Sequence, residues 1–333
     1  MRILPLFSII LLSGCSEWLT PEKAVFQKYH QRLATVLEVS ASTIEESAAV
    51  TIPDKRVLFH DLPRVSLGLL ESYQLRQCGL FNLIAQKNSP LGKVQDSFYD
   101  FDYQTSLLRT LHGCLTHHAL SKEDQSKLND VYTQKWEHFP THLDNLLLTS
   151  DAMRKQLTAS QWLSINAKAQ VVSVRSAFLT LEEMYLTPPM VVSRLPDVAL
   201  VNYQEEIEKT RLIGRLYYTL TNVSLWLKQT TEMLKTNQDK IVCGKNRDTT
   251  TLRYLRNVFQ SVYVKQVQPY MAYLDSTYQQ LDSGIRLVEV RMKAHGHDYG
   301  MTSMHQEFRN QTLEHVQFWQ QLFKRCGVRI GDR

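Results

Sequence analysis

Apolar residues recur at intervals of three and four along most of this chain, with polar and charged side chains between them. That period marks amphipathic helices that bury one face. Thr20-Pro21-Glu22 has the composition of a helix start, and Val25, Tyr29, Leu33, Val36 and Leu37 follow at helical spacing, predicting a helix to about Glu46. Pro53 and Pro63 bracket an irregular connector that contains His60 and Asp61, because the residue before a proline is driven out of the α region. From Val65 to Asn88 the stripe is Leu67, Leu70, Leu75, Cys78, Phe81 and Ile84, and after the turn formers of Asn88-Ser89-Pro90-Leu91-Gly92 it resumes with Phe98, Phe101, Leu108, Leu111 and Leu115. These two segments read as a helical hairpin.

Ser121-Lys122-Glu123-Asp124 has the form of a capping box and opens a helix through Val131, Tyr132 and Trp136, which Pro140 is expected to interrupt at Phe139. A further helix carries Leu143, Leu146 and Leu147, and another runs from about Thr158 to Leu186. Three prolines, Pro188, Pro189 and Pro196, mark residues 187–197 as a connector between an N-terminal half, 21–186, and a C-terminal half, 198–333, unless the two form one continuous domain. Beyond it Ile213, Leu216, Leu220, Val223, Leu227 and Leu234 form a bundle-type seam. A helix from near Thr250 carries Leu252, Leu255, Phe259 and Val262, and Pro269 is expected to kink it near Lys265. The last helix shows Phe308, Val316, Trp319, Phe323 and Cys326 before the stop at Gly327. The expected fold is mainly α, an antiparallel multi-helix bundle-like assembly of about eight to ten helices with two disulfides.

Composition agrees with helix: the 333 residues contain only 12 Gly and 10 Pro. The formal net charge of +5 is too small to imply nucleic-acid binding. The excess sits in residues 187–333, with 20 basic and 14 acidic side chains, against 17 and 19 in residues 16–186. A basic C-terminal half suits an anionic lipid surface or an acidic partner, but a solvated surface with a modest excess is the favoured reading.

The first residues change the picture more. Arg2 is followed by the apolar run Ile3 to Leu12 and then by Leu12-Ser13-Gly14-Cys15. The run is too short to span a bilayer, for which about 20 residues are needed. The arrangement resembles the lipobox of a Gram-negative bacterial lipoprotein. The resemblance implies a signal peptide over residues 1–14, acylation of Cys15, a tether over 15–20, and Ser16 where an aspartate would favour inner-membrane retention. It points to the periplasmic face of the outer membrane, with the lipid bilayer as a partner of Cys15.

Four other cysteines remain, and an even number in an exported protein suggests two disulfides, which four cysteines can form in three ways. Cys78 and Cys114 flank segments that the pattern makes antiparallel neighbours, as do Cys243 and Cys326, so these are the expected pairs. No CxxC is present and no cysteine lies one helical turn from a histidine, which disfavours metal ligation by thiolate. The run Leu75-x-x-Cys78-x-Leu80-x-x-Leu83-Ile84-Ala85, then Asn88-Ser89-x-Leu91-Gly92-Lys93-Val94 and a later Cys114, resembles an uncharacterised domain-of-unknown-function family of envelope lipoproteins. The resemblance supports the compartment and the cysteine pairing, and it implies no activity.

Candidate chemistry is sparse. His295-Gly296-His297-Asp298, with His305 nearby, is the most ligand-like cluster, since imidazole and carboxylate suit Zn or Cu; a glycine turn explains Gly296 and Gly300 without a metal. His112, His117 and His118 suit the negative end of a helix. Asp100 and Asp102, flanked by Tyr99, Phe101 and Tyr103, have the residue types of a sugar site, but acidic residues in a first turn also complement the helix dipole. No G-x-S-x-G, H-E-x-x-H or P-loop sequence occurs. With no cofactor implied, the expectation is a non-catalytic binding or scaffold protein of the periplasm with an envelope protein or polymer as partner. The alternative is a periplasmic enzyme or metal-binding protein using the His295, His297 and Asp298 region.

Overall fold

The computed structural model of the chain describes residues 20–63, 65, 75–116, 121–244 and 247–328. Cys15 with its lipobox, the tether as far as residue 19, Leu67, Leu70, His117 and His118 lie outside the described residues. Helix α1 spans Pro21–Val36, with Pro21 in its first turn. It does not reach Glu46: Leu37 caps it, Glu38 takes φ 55°, and the Val39 N–H turns back to the Ala34 carbonyl at 3.0 Å. The polar run Ser40 to Thr43 offers no apolar stripe for the helix to bury, so the chain leaves it extended. This extended run crosses the body, where Val50 and Ala159 form an isolated antiparallel bridge. A one-turn helix, α2 (Lys55–Leu58), follows, capped by the Asp54 carboxylate.

A 3₁₀ turn at Arg76–Cys78 leads into α3 (Leu80–Asn88), a one-turn α4 (Pro90–Lys93) and α5 (Ser97–Leu115). Helices α3 and α5 form the expected hairpin, with α4 taking up the unequal lengths of its arms. The Cys78–Cys114 disulfide joins them at a Cα separation of 5.2 Å.

Helix α6 runs unbroken from Lys122 to Thr149, with Pro140 inside it, which corrects the expected interruption at Phe139. An internal proline costs about 3 kcal/mol through a lost hydrogen bond and a clash with the preceding turn. Trp136, Phe139 and Leu143 are all buried around it, and side chains of that size each contribute about 1.5–3 kcal/mol on burial, so packing outweighs the local penalty. After α7 (Asp151–Leu157), residues 158–167 are not helical, a second correction. Side chains from elsewhere replace the helical ladder there: Thr219 Oγ1 accepts from the Leu163 N–H at 2.7 Å, and the Tyr270 and Tyr273 hydroxyls donate to the carbonyls of Leu163 and Ser164. Helix α8 then spans Lys168–Leu186.

Past the proline-rich connector come α9 (Val201–Thr210) and α10 (Leu212–Thr236). All six seam residues of α10, from Ile213 to Leu234, are buried. At Gly214 a Cβ would lie 2.6 Å from the Thr158 backbone, so the absence of a side chain permits the close approach of the 158–167 segment. Helix α11 (Thr250–Val258) passes through a π-helical segment, Phe259–Val267, into α12 (Gln268–Ala294). The kink expected near Lys265 therefore takes the form of a stretch of π-helix immediately before Pro269, whose missing N–H and bulky ring disturb the ordinary ladder. Helix α13 (Met301–Arg325) returns alongside, and the Cys243–Cys326 disulfide ties its end to the segment after α10 at a Cα separation of 5.1 Å. Helix α10 packs on α13 and α8 on α12, and one buried cluster extends from Phe26 to Phe323, with members on both sides of the connector. Among the described residues no helix is long and apolar enough to cross a membrane.

In the centre of this core lies His315, fully buried between α1, α10 and α13. Thr231 gives its hydroxyl proton to the Leu227 carbonyl, so the His315 Nδ1–H donates to Thr231 Oγ1 at 2.8 Å. The Nε2 atom is then an acceptor, facing the Tyr29 hydroxyl at 2.9 Å and the Trp319 Nε1–H at 3.1 Å. Burial holds this imidazole neutral, lowering its pKa to about 3; burial also lowers His30, and takes His142 down to about 4. In the unfolded chain each would take up a proton near pH 6.5, which the fold refuses. The contribution of His315 is thus complete above about pH 6.5 and is lost as pH falls from there toward 3, by up to about 1.4 kcal/mol per pH unit. His315→Gln is expected to lower stability at pH 7 and to make the loss between pH 6 and pH 4 shallower, as read by urea unfolding across that range; an unchanged slope would contradict this assignment.

Candidate functional site

A convergent set of polar side chains occurs where α6, α8 and α12 meet beneath the 53–63 connector. Its centre is Asp144, whose side chain is only 7% exposed. Two carboxylate oxygens offer about four acceptor positions, and four donors meet them. The Tyr185 hydroxyl and Arg291 Nε donate to Oδ1, each at 2.7 Å. Arg291 Nη2 at 2.5 Å and His295 Nε2 at 3.3 Å face Oδ2. Arg291, in the last turn of α12, and His295, at its C-cap, reach one carboxylate because they stand four residues apart, hence on the same face. The Arg291 guanidinium also lies over the Tyr185 ring, 5.3 Å from its centroid. Its hydrogen bond to Asp144 raises the Arg291 pKa, while burial and then the Asp144 charge push the Tyr185 phenol well above its ordinary range. Tyr185 is therefore a fixed donor.

His295 continues the network outward. It caps the C-terminus of α12, and Gly296 at φ 77° turns the chain away, with the His297 N–H returning to the Met292 carbonyl. Donation from Nε2 to Asp144 leaves Nδ1 with a lone pair, and this atom lies 2.7 Å from His60 Nε2. His60 is exposed, but its backbone is fixed: the Asn145 side chain accepts from the His60 N–H at 3.0 Å and donates to its carbonyl at 2.8 Å. The path from Asp144 through His295 to His60 thus leads from the buried core to solvent.

Two grooves meet at His60. One, of about 380 Å³, is lined by Phe59, Asp61, Asp100, His142 and Asn145 among others. The other, of about 480 Å³, has Val57, Thr141, Asp144, Arg291 and His295 in its wall. Two of the three acidic residues that line the first groove are already engaged. Asp100 pairs with Lys87 at 2.5 Å, and Asp96 caps α5 and accepts from Gln204. Asp102 does not complement its own helix; it accepts from the backbone N–H groups of Leu200 and Val201 at the start of α9.

Of the residues singled out as metal candidates, only His295 enters this network. His305 Nε2 donates to the Asp275 carboxylate at 2.8 Å, and the ring stacks on Tyr278 with ring centroids 3.6 Å apart. Asp298 accepts from the Gly300 N–H within the turn, and His297 is half-buried beside it. His112, near the end of α5, lies against the ring of Tyr132. Among the described residues no three His, Cys, Asp or Glu side chains are grouped as a metal ligand set. The residues that sequence patterns missed are Asp144, Tyr185, Arg291 and His60. Asp144 carried a signal, being a charge within the apolar stripe of Leu143, Leu146 and Leu147; the others are joined only by tertiary folding.

Comparison with known proteins yields a match over residues 26–330 to a family model described as Protein of unknown function (DUF3080). No curated protein matches the chain. No solved structure matches it either.

Proposed function

The chain belongs to the family described as Protein of unknown function (DUF3080), and from that premise we propose that it is a lipid-anchored envelope protein, held by an acylated Cys15, that binds an envelope protein or polymer through the grooves meeting at His60. The observation that carries the reading is the use of the cysteines. Four of the five are spent in two disulfides, a bond that persists in oxidising compartments outside the cytosol. The fifth, Cys15, follows Leu12-Ser13-Gly14 and an apolar run, the pattern of an acylation site. Two or more acyl chains there would anchor the protein stably, at about 0.8 kcal/mol per buried CH2. The rigid helical body and its open polar grooves suit a binding role.

Cys15→Ala is expected to move the protein from the membrane fraction to the soluble fraction with its circular dichroism and disulfides unchanged. Retention in the membrane fraction would contradict the anchor. In-cell crosslinking from Lys55, which lines the groove of about 380 Å³ with His60, is expected to capture one dominant envelope partner, and the absence of any Lys55-dependent product would contradict the binding role.

A further inference from the structure

We infer that His60 and His295 form a two-imidazole site for a divalent transition-metal ion of the Zn²⁺ or Cu²⁺ type, with Asp144 as the residue that orients His295. This site is independent of the Cys15 anchor. The two ring nitrogens that face each other, His60 Nε2 and His295 Nδ1, are 2.7 Å apart. Without an ion, one of them must carry a proton for the contact to be attractive. The geometry at His295 assigns that proton to His60, because His295 spends its own N–H on Asp144 and points a lone pair outward. A shift of His60 to its other tautomer frees a second lone pair toward the same point, with no change in net charge.

The environment is that of a ligating histidine. Such a histidine commonly donates its second N–H to a carboxylate, which fixes the tautomer and raises the basicity of the coordinating nitrogen. Asp144 has this position, and it is itself held by Tyr185 and Arg291 on elements other than its own. The supporting carboxylate is buried and His295 nearly so, with side-chain exposures of 7% and 9%. The coordinating edge instead opens to a groove of about 480 Å³. His60 arrives on a connector clamped by Asn145, so both donors are held before an ion binds. Two protein donors leave the remaining positions of the ion to water or to a ligand from the groove, one protein ligand fewer than in a catalytic zinc site. Imidazole donors favour Cu²⁺ and Zn²⁺ over Mg²⁺ or Ca²⁺, and Cu²⁺ binds most tightly in the divalent series.

The test uses the purified full chain, after chelator treatment, with Cu²⁺ as probe. Electron paramagnetic resonance is expected to show one bound Cu²⁺ with a two-nitrogen superhyperfine pattern, displaced by excess Zn²⁺. His60→Ala, at an exposed position, should keep the fold and abolish the two-nitrogen pattern. His295→Ala should do the same, and Asp144→Asn should weaken binding by about 10- to 100-fold while leaving both nitrogens in the spectrum. His297→Ala, two residues from His295 but with its side chain outside the network, should change nothing. The inference is overturned if Cu²⁺ fails to bind at one equivalent, or if the two-nitrogen signal survives in His60→Ala or disappears in His297→Ala. Retention of membrane anchoring in every one of these variants would keep such a failure separate from the anchor reading.

Discussion

Asp144→Asn is expected to lower the stability of the chain by about 3 kcal/mol in urea unfolding. Removing one partner of a buried ion pair typically costs about 3–5 kcal/mol, because the other charge is left buried without compensation. The low end applies here, since the Arg291 side chain retains 27% exposure and can recover some hydration. The Asn side chain keeps the shape of the site but brings an amide N–H₂ against donors from Tyr185, Arg291 and His295. The loss should therefore reflect charge and donor mismatch rather than a cavity. Replacing both charges by apolar residues, as in Asp144→Leu with Arg291→Met, should recover part of it, since neither charge is then stranded. A single Asn variant within about 0.5 kcal/mol of the parent would show that the network contributes little to stability.

The second large effect is expected from the Cys243–Cys326 bond. Its cysteines are 83 residues apart and enclose α11, the π-helical segment, α12 and α13. In the chain-entropy account, opening a loop of that length costs about 4–5 kcal/mol by enlarging the unfolded ensemble. The Cys78–Cys114 bond, at a separation of 36, should contribute somewhat less, about 4 kcal/mol. Replacing Cys243 and Cys326 by Ser is expected to lower the urea midpoint accordingly and to raise the slope of the transition, as the unfolded chain becomes less compact. An unchanged midpoint would show that the bond does not constrain the unfolded chain. Non-reducing peptide mapping of the parent should recover the two pairs and no pair joining Cys78 or Cys114 to Cys243 or Cys326.

The helical fold was legible because its strongest signals are local and periodic. The seam from Ile213 to Leu234 is one uninterrupted stripe, and all of its members are buried. The antiparallel placement of neighbouring segments carried the disulfide pairs with it. Sequence pattern failed where distant contacts overrule local preference. Pro140 reads as a helix end but is carried through by the burial of Trp136, Phe139 and Leu143. The stretch 158–167 has apolar residues at helical spacing, yet Tyr270, Tyr273 and Thr219 satisfy its backbone in an irregular form. The candidate site is the extreme case. His295 was legible as a residue type with ligand chemistry, but its expected companions His297, Asp298 and His305 turn elsewhere. Its actual neighbours, His60 and Asp144, are separated from it by 235 and 151 positions, and no spacing rule joins residues so far apart.

The intact mass of the protein extracted from membranes under non-reducing conditions tests most directly whether it is an oxidised, lipid-anchored envelope protein. The predicted result is a chain that begins at Cys15, carries the added mass of diacylglycerol and an amide-linked acyl chain, and lacks the four hydrogens removed by two disulfides. A chain that retains residues 1–14, an unmodified Cys15, or four free thiols among Cys78, Cys114, Cys243 and Cys326 would contradict it.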